Sequence, residues 1–137
     1  MKYTIDDIDI YIMTHNRAGY LKRSIESLLS QSAGVSKITV LDNESTDNTL
    51  SVVEHFSSYG VRCIRTKGFL GNFKKAQEIV SGKYVMLFHD DDILHPLYLE
   101  LALKVLNEKD DISLITTRYT EFFDDNFPGM PESIVPD

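Results

Sequence analysis

Three consecutive carboxylates, Asp90, Asp91 and Asp92, carry the clearest chemical signal in the sequence. They repel one another, and the apolar residues 84–88 directly before them offer no relief. A hard divalent cation such as Mg²⁺ or Mn²⁺ removes this repulsion, because it binds carboxylate and phosphate oxygens together. The triplet therefore predicts a divalent-metal site, with a solvated acidic turn that caps the next helix as the alternative.

Further candidate ligands follow two other apolar runs. Asp42 comes directly after residues 37–41, and His15 and Arg17 come after residues 8–13. A carboxylate such as Asp42 can accept a hydrogen bond from a ribose hydroxyl or a base N–H, and it can equally begin an Asx turn. Arg17 has the geometry to stack on a base or to reach a phosphate, or it is a solvated residue of a first helical turn.

The hydrophobic pattern predicts a scaffold that brings these candidates together. Five runs rich in β-branched and aromatic residues predict strands: 8–13, 37–41, 61–64, 84–88 and 112–116. Apolar residues at helical spacing lie between the successive runs. Such an alternation indicates βαβ units and an α/β, Rossmann-like three-layer sandwich with a mainly parallel sheet. Ligands bind such sheets beyond the carboxyl ends of the strands, where the candidates fall.

Three local features predict how individual elements begin and how they are buried. The continuous apolar run 84–88 is typical of a strand that is covered on both faces. Ser45 or Thr46 is expected to cap the helix after the second strand. Pro96 is expected at the first position of the helix after the fourth strand.

Length and charge exclude several classes of protein. A chain of 137 residues fits one domain, and 14 basic against 21 acidic residues give a net charge of −7. An acidic chain is a poor electrostatic match for nucleic acid, so we expect no nucleic-acid partner. Cys63 has no second cysteine to pair with, which favours a reducing compartment. No apolar run approaches the ~20 residues of a membrane span, so we expect a cytoplasmic location, with the cytoplasmic face of the membrane as a second option.

Three collinear segments carry a resemblance to a known family. Residues 10–17 read IYIMTHNR, where that family typically has an apolar strand and then T-Y-N-R. Residues 40–49 read VLDNESTDNT, similar to its V-D-D/N-G-S-T-D-x-T, and residues 82–92 read GKYVMLFHDDD, similar to its G-x-Y…D-D-D segment with a D-x-D motif. Over residues 8–107 the chain resembles family 2 glycosyltransferases of the GT-A fold.

The resemblance implies a domain and its ligands. Residues 1–120 would be a GT-A nucleotide-sugar-binding domain, and residues 121–137 a loop or tail. The donor would be a nucleotide-diphosphate sugar, with a UDP-sugar as the first choice, and the cofactor Mn²⁺ or Mg²⁺. The side chains that would surround the base and ribose are Thr14, His15, Arg17 and Asp42. Asp90 and Asp91 would contact the ribose and sugar, and Asp92, together with Asp90, would bind the metal.

The reaction that the resemblance implies is a metal-dependent transfer of the sugar, with inversion, to a hydroxyl of a saccharide or lipid-linked acceptor. The general base is not assigned: Asp124 and Asp125 lie in the right direction along the chain, but no motif singles them out. One alternative is a nucleotide-sugar-binding module without turnover of its own. Another is a nucleotidyltransferase, although residues 14–17 lack the glycine-rich loop that such an enzyme usually carries.

Overall fold

A computed structural model describes residues 1–68 and 70–123 of the chain. The strands are β1 (Ile8–Thr14), β2 (Ile38–Asn43), β3 (Val61–Thr66) and β4 (Tyr84–His89). The helices are α1 (Ala18–Leu29), α2 (Thr49–His55), α3 (Gly71–Ile79) and α4 (Tyr98–Glu108). Two short 3₁₀ helices, Ile5–Asp7 and Ser57–Tyr59, precede β1 and β3. Strands and helices alternate as the hydrophobic pattern predicts.

The four strands form one parallel sheet in the order β3-β2-β1-β4. The register places Thr14 of β1 beside Asp42 of β2, and Met13 of β1 beside His89 of β4. All seven residues of β1 are buried, because it has a strand on each side and helices on both faces. The predicted α/β architecture with a mainly parallel sheet is confirmed, and the carboxyl ends of β1, β2 and β4 meet at one edge.

Side chains of β1 alternate between two apolar layers, as the pleat requires. Ile8, Ile10 and Ile12 pack with apolar residues of α1, α2 and α4 on one face. Tyr11 packs on the other face with Leu41 of β2 and with α3. Helices therefore cover both faces of β1, and the core consists of two apolar layers, one on each face of this strand.

The predicted strand at 112–116 is wrong, because residues 112–123 form no ladder with the sheet. Leu114 is 79% exposed, and this segment reaches the sheet through a hydrogen bond from the Tyr84 hydroxyl to the carbonyl oxygen of Ile112. The expectation that β4 is covered on both faces is also wrong. β4 is an edge strand, and its side chains Val85 and Leu87 are 42% and 44% exposed because no described helix packs over them.

The predicted cap of α2 is wrong as well. The helix begins at Thr49, and neither Ser45 nor Thr46 caps it. Asp47 accepts hydrogen bonds from the Thr49 backbone N–H (3.0 Å) and hydroxyl (2.6 Å) instead. Ser45 is used elsewhere, because its hydroxyl accepts a hydrogen bond from the backbone N–H of Asn16 across the neighbouring loop.

Pro96 does not occupy the first position of the last helix. α4 begins at Tyr98, and Pro96 lies in the turn before it. The carbonyl oxygen of Pro96 accepts a hydrogen bond from the backbone N–H of Ser32 at 2.9 Å. The turn is therefore fixed against the end of α1, and α4 begins two residues later than predicted.

A buried carboxylate ties the start of the sheet to the turn before β4. Asp9 is 3% exposed, and its Oδ2 accepts hydrogen bonds from the Ser81 and Gly82 backbone N–H groups at 2.7 and 2.8 Å. The Ser81 and Tyr11 hydroxyls also donate to this oxygen. Burial raises the pKa of Asp9, but these donors outweigh it and hold the pKa below its ordinary value of 3.8.

We predict that Asp9→Ala lowers the free energy of unfolding by about 3 kcal/mol, because it leaves two buried backbone N–H groups without their charged acceptor. A lowered carboxyl pKa stabilises the fold at neutral pH, and this contribution is lost as the pH falls below about 4. Asp9→Ala should therefore lose less stability than the natural chain as the pH falls below about 4. Urea unfolding between pH 2.5 and 7 measures both effects.

The matched control is Asp6→Ala, which removes an exposed carboxylate from the 3₁₀ helix before β1. It should unfold like the natural chain at every pH. Equal stability of the Asp9 and Asp6 variants would show that the Asp9 contacts contribute nothing net.

Candidate functional site

The acidic triplet lies in a turn that α1 holds in place. Asp90 is 4% exposed, at the carboxyl end of the edge strand β4. The hydroxyl of Ser24, which is fully buried, lies 2.7 Å from the carbonyl oxygens of both Asp90 and Asp92. The hydroxyl of Ser27 accepts a hydrogen bond from the Leu94 backbone N–H at 3.1 Å. These contacts fix the backbone from which the three carboxylates project.

Sequence reasoning missed both serines. They lie on the apolar face of α1, beside Leu21, Ile25 and Leu28, which are fully buried. A small polar residue on a buried helix face needs a hydrogen-bond partner. This requirement was the signal available in the sequence. It indicates that the buried face of α1 forms hydrogen bonds with backbone carbonyl and N–H groups of another element.

Arg17 lies against two carboxylates of the triplet. Its Nη1 is 2.8 Å from Oδ2 of Asp91 and 3.3 Å from Oδ1 of Asp90. Burial raises the pKa of Asp90, and the nearby Thr14 hydroxyl and the Arg17 charge oppose that rise. The Thr14 hydroxyl lies near enough to Asp90 to lower its pKa, although the two groups form no well-aligned hydrogen bond. The structure therefore brings Thr14, Arg17, Asp90 and Asp91 together.

Asp92 is exposed at the far end of the same turn. Burial of part of its carboxyl group, and then the negative charge of Asp91, raise the pKa of Asp92. Residues 1–68 and 70–123 contain no group of three or more His, Cys, Asp or Glu side chains placed to hold a metal ion together. One or two carboxylates are nevertheless the usual protein share of a Mg²⁺ site that substrate phosphates complete. The donor set fits such a shared site and does not fit an all-protein cage.

Asp42 lies at the next strand end and is completely buried. Its Oδ1 accepts a hydrogen bond from the Ser45 backbone N–H at 3.1 Å. The acceptor lies three residues before the donor and not two, so Asp42 stabilises the loop as the alternative expected, but without the bond of an Asx turn. Its Oδ2 has no hydrogen bond and lies 3.6 Å from Nε of Arg65, a side chain that is 48% exposed. Asp42 therefore combines a structural oxygen with a second oxygen that is free to accept a hydrogen bond once Arg65 moves aside.

Unsatisfied buried oxygens cluster at this edge of the sheet. Among the described residues, the buried side-chain atoms without a hydrogen bond are Oγ1 of Thr14, Oδ2 of Asp42 and Oδ1 of Asn43. Buried polar groups in proteins are nearly always paired. Three buried oxygens without a hydrogen bond lie at the ends of two adjacent strands, and of these Oδ2 of Asp42 has the Arg65 ion pair. This edge therefore offers hydrogen-bonding capacity to a polar ligand.

The loops after β1 and β2 hold each other in place. Thr46 donates its backbone N–H to Oδ1 of Asn16 at 2.7 Å, and Ala18 donates its backbone N–H to Oδ2 of Asp47 at 3.0 Å. Asn16 has a positive φ of 53°, a conformation that asparagine tolerates better than most residues. Since Asp47 also binds the start of α2, one carboxylate positions both helices at this edge.

The described contacts of His15 are with the loops after β1 and β2 and not with the acidic triplet. His15 is exposed, and its Nδ1 lies 2.5 Å from the carbonyl oxygen of Asn43. A carbonyl oxygen only accepts, so Nδ1 carries the proton in this contact. The ring therefore packs over the end of β2, on the side of Asp42.

A basic cavity of about 500 Å³ opens beside Asp42, at the carboxyl end of β3. Its lining residues are Glu44, Arg65, Thr66, Lys67, Gly71, Lys74, Lys75 and Glu78. Four cationic and two acidic side chains give it a positive balance in a chain whose net charge is −7. This volume lies within the range of small-molecule sites, and its charge suits an anionic ligand.

The sequence matches a described family over most of its length. The profile of glycosyl transferase family 2 matches residues 9–135. A chondroitin synthase of Escherichia coli is 32% identical over 111 residues, which are 78% of this chain and 16% of that protein. A hyaluronan synthase of Pasteurella multocida is 32% identical over 101 residues, which are 71% of this chain and 10% of that protein. The chain thus spans only a small part of the length of these relatives.

Solved structures share the fold. S. aureus TarS 1–349 in complex with UDP-GlcNAc superposes with a TM-score of 0.66 at 22% identity, covering 74% of this chain and 31% of that one. Glucosyl-3-phosphoglycerate synthase of Mycobacterium tuberculosis, in complex with Mn²⁺, UDP and phosphoglyceric acid, superposes with a TM-score of 0.61 at 22% identity, covering 77% and 40%. The fold is that of GT-A glycosyltransferase domains. With the family profile over residues 9–135, this establishes that the chain belongs to glycosyl transferase family 2.

Proposed function

We propose that this chain binds a nucleotide-diphosphate sugar, with a UDP-sugar as the first choice, and serves as the donor-binding part of a glycosyltransferase. The observation that carries the proposal is the meeting of Thr14, Asp42 and Asp90 at the ends of three adjacent strands. Two of these residues have unsatisfied buried oxygens, and the third begins the acidic turn. UDP complexes of two structural neighbours with the same fold support the choice of nucleotide.

The base and ribose would lie over the end of β2. Oδ2 of Asp42 would accept a hydrogen bond from a base N–H, and the exposed His15 ring would flank the base. The positive balance of the cavity next to Asp42 would favour an anionic ligand in an acidic protein. Arg65, which lies between this cavity and Asp42, would have to turn outward to admit the base.

The diphosphate and sugar would lie over the turn after β4. Asp90 and Asp91 would contact the ribose and sugar, and Asp92 with Asp90 would hold Mn²⁺ or Mg²⁺. The metal would neutralise the charge that develops on the leaving diphosphate. Ser24 and Ser27 would hold the backbone of this turn in place through their hydrogen bonds to it.

The transfer itself would take the sugar to a hydroxyl of a saccharide or lipid-linked acceptor, with inversion at the anomeric carbon. A general base must then lie within about 3 Å of the acceptor hydroxyl. No described residue is assigned that role, and Asp124 and Asp125 lie outside the described residues. The described residues of this chain would therefore bind the donor, and the residue that would activate the acceptor is not assigned.

We predict that UDP binding depends on a divalent metal. Calorimetric titration of UDP should give an affinity at least tenfold higher in Mn²⁺ than in EDTA, since carboxylates and a diphosphate repel each other without a bridging cation. Asp92→Asn should lose most of this difference. Asp110→Asn, which removes a carboxylate that is 91% exposed and paired with Lys2, is the matched control and should keep it.

Equal UDP affinity in Mn²⁺ and in EDTA would contradict the metal role. Equal affinity of the Asp92 and Asp110 variants would contradict the assignment of Asp92 while leaving metal dependence in place.

We predict that Asp42→Asn weakens UDP binding and leaves the fold intact. The amide oxygen can keep the hydrogen bond from Ser45, whereas its N–H₂ cannot accept one from a base. A hydrogen bond to a charged group contributes roughly 1.5–3 kcal/mol, so the dissociation constant should rise about tenfold to a hundredfold. Calorimetry measures the affinity, and the melting temperature reports the fold.

Asp42→Ala separates the two oxygens of this residue, because it removes the turn contact as well. It should lower the melting temperature, and Asp42→Asn should not. Normal UDP binding by Asp42→Asn would show that the carboxylate only forms the turn.

A further inference from the structure

We infer that Arg17 is a built-in counter-cation of the acidic triplet, which holds Asp90 and Asp91 in the metal-free protein and is displaced when a divalent cation binds. The inference rests on the proposed function in one respect, namely that Asp90 belongs to the metal site. It goes beyond that function because it gives Arg17 a role in metal affinity instead of a contact with the base.

The contacts of the guanidinium carry this inference. Nη1 of Arg17 is shared between Oδ2 of Asp91 at 2.8 Å and Oδ1 of Asp90 at 3.3 Å. The described residues give its side chain no other hydrogen bond or ion pair. A single nitrogen thus neutralises two carboxylates, one of which, Asp90, would also hold the metal.

Asp90 and Arg17 differ in burial, so the loss of their contact costs the carboxylate more free energy than the guanidinium. The side chain of Asp90 is 5% exposed, whereas those of Arg17 and Asp91 are 51% and 46% exposed. A buried carboxylate is costly without a partner cation, so Asp90 needs one in the metal-free state. Arg17 reaches it from the solvent side, and it can withdraw into water at little cost once another cation takes its place.

The position of Arg17 in the chain also suits a displaceable group. It is the residue before the first turn of α1, in a backbone conformation outside the helix, while its neighbours Asn16 and Ala18 are fixed to the opposite loop. The backbone is thus held and the long side chain is free to swing. Once released from the carboxylates, a planar guanidinium can form paired hydrogen bonds with a phosphate, so the same arginine would then favour the bound diphosphate.

The test is the affinity for Mn²⁺ alone, in the absence of any nucleotide. Arg17→Gln should bind Mn²⁺ about tenfold more tightly than the natural chain, because the ion no longer competes with the guanidinium for Asp90; tenfold corresponds to about 1.4 kcal/mol. Titration followed by the electron paramagnetic resonance signal of free Mn²⁺ gives the dissociation constants. Arg17→Lys, which keeps the charge, should stay close to the natural chain.

Lys22→Gln is the matched control, since it removes one positive charge from α1 at a side chain paired with Glu26. It should bind Mn²⁺ like the natural chain. Equal or weaker Mn²⁺ binding by Arg17→Gln would overturn the inference, and so would an equal gain in Lys22→Gln, which would reduce the effect to net charge.

The melting temperature, measured with and without Mn²⁺, is a second readout that remains informative if Arg17→Gln destabilises the protein. Without metal, Arg17→Gln should melt at a lower temperature than the natural chain, and Mn²⁺ alone should raise its melting temperature by more. A larger rise in the natural chain would mean that Arg17 and the metal bind together, which overturns the displacement. Failure of UDP to bind in any condition would refute the proposed function, while the Mn²⁺ comparison would still decide the role of Arg17.

Discussion

The parallel pairing of β1 with both of its neighbours is the constraint on which the site depends. β1 is buried along its whole length, and its register fixes Thr14 beside Asp42 and Met13 beside His89, one residue before Asp90. A shift of one residue would turn every side chain of β1 to the other face and would remove three isoleucines from the apolar layer that they form with α1, α2 and α4. The hydrophobic core therefore sets the positions of the polar strand ends, and the loops that follow are fastened to one another and to α1 by hydrogen bonds.

The carboxylates at this edge repel one another, and several separate hydrogen bonds and ion pairs offset that repulsion. Asp42 gives one oxygen to a backbone N–H, Asp47 binds two helix starts, and Asp90 has Arg17 over its buried carboxylate. Each carboxylate acts on a different part of the loop backbone. Asp91 shares the same guanidinium, and Asp92, to which the described residues give no ion pair, projects into solvent. Positive charge is concentrated locally in this acidic chain, in the cavity beside β3, and Arg17 adds one guanidinium at the acidic turn.

The sequence predicts the periodic part of this structure and much less of its irregular part. Strand and helix order follows from apolar spacing, because burial on one face repeats along an element. The error at β4 has a physical reason: the apolar run 84–88 shows what the strand would bury, but Val85 and Leu87 lie on a face that no described helix covers. Residues 112–116 have strand composition without a ladder, since pairing is decided by tertiary contacts. At the site, the position of Asp90 was predictable from its strand end, whereas the contacts of Ser24, Asp47 and Arg65 come from residues far apart in sequence.

We propose that the ends of β1, β2 and β4 form one binding site for a nucleoside diphosphate and a divalent metal. Paramagnetic broadening of backbone amide signals by substoichiometric Mn²⁺, recorded with and without UDP, locates the ion directly. With UDP present, we expect broadening to centre on residues 90–92 and to extend to Thr14 and Arg17, while UDP itself shifts the signals of residues 42–45. Broadening centred away from the turn after β4, or UDP shifts confined to another edge of the sheet, would contradict it.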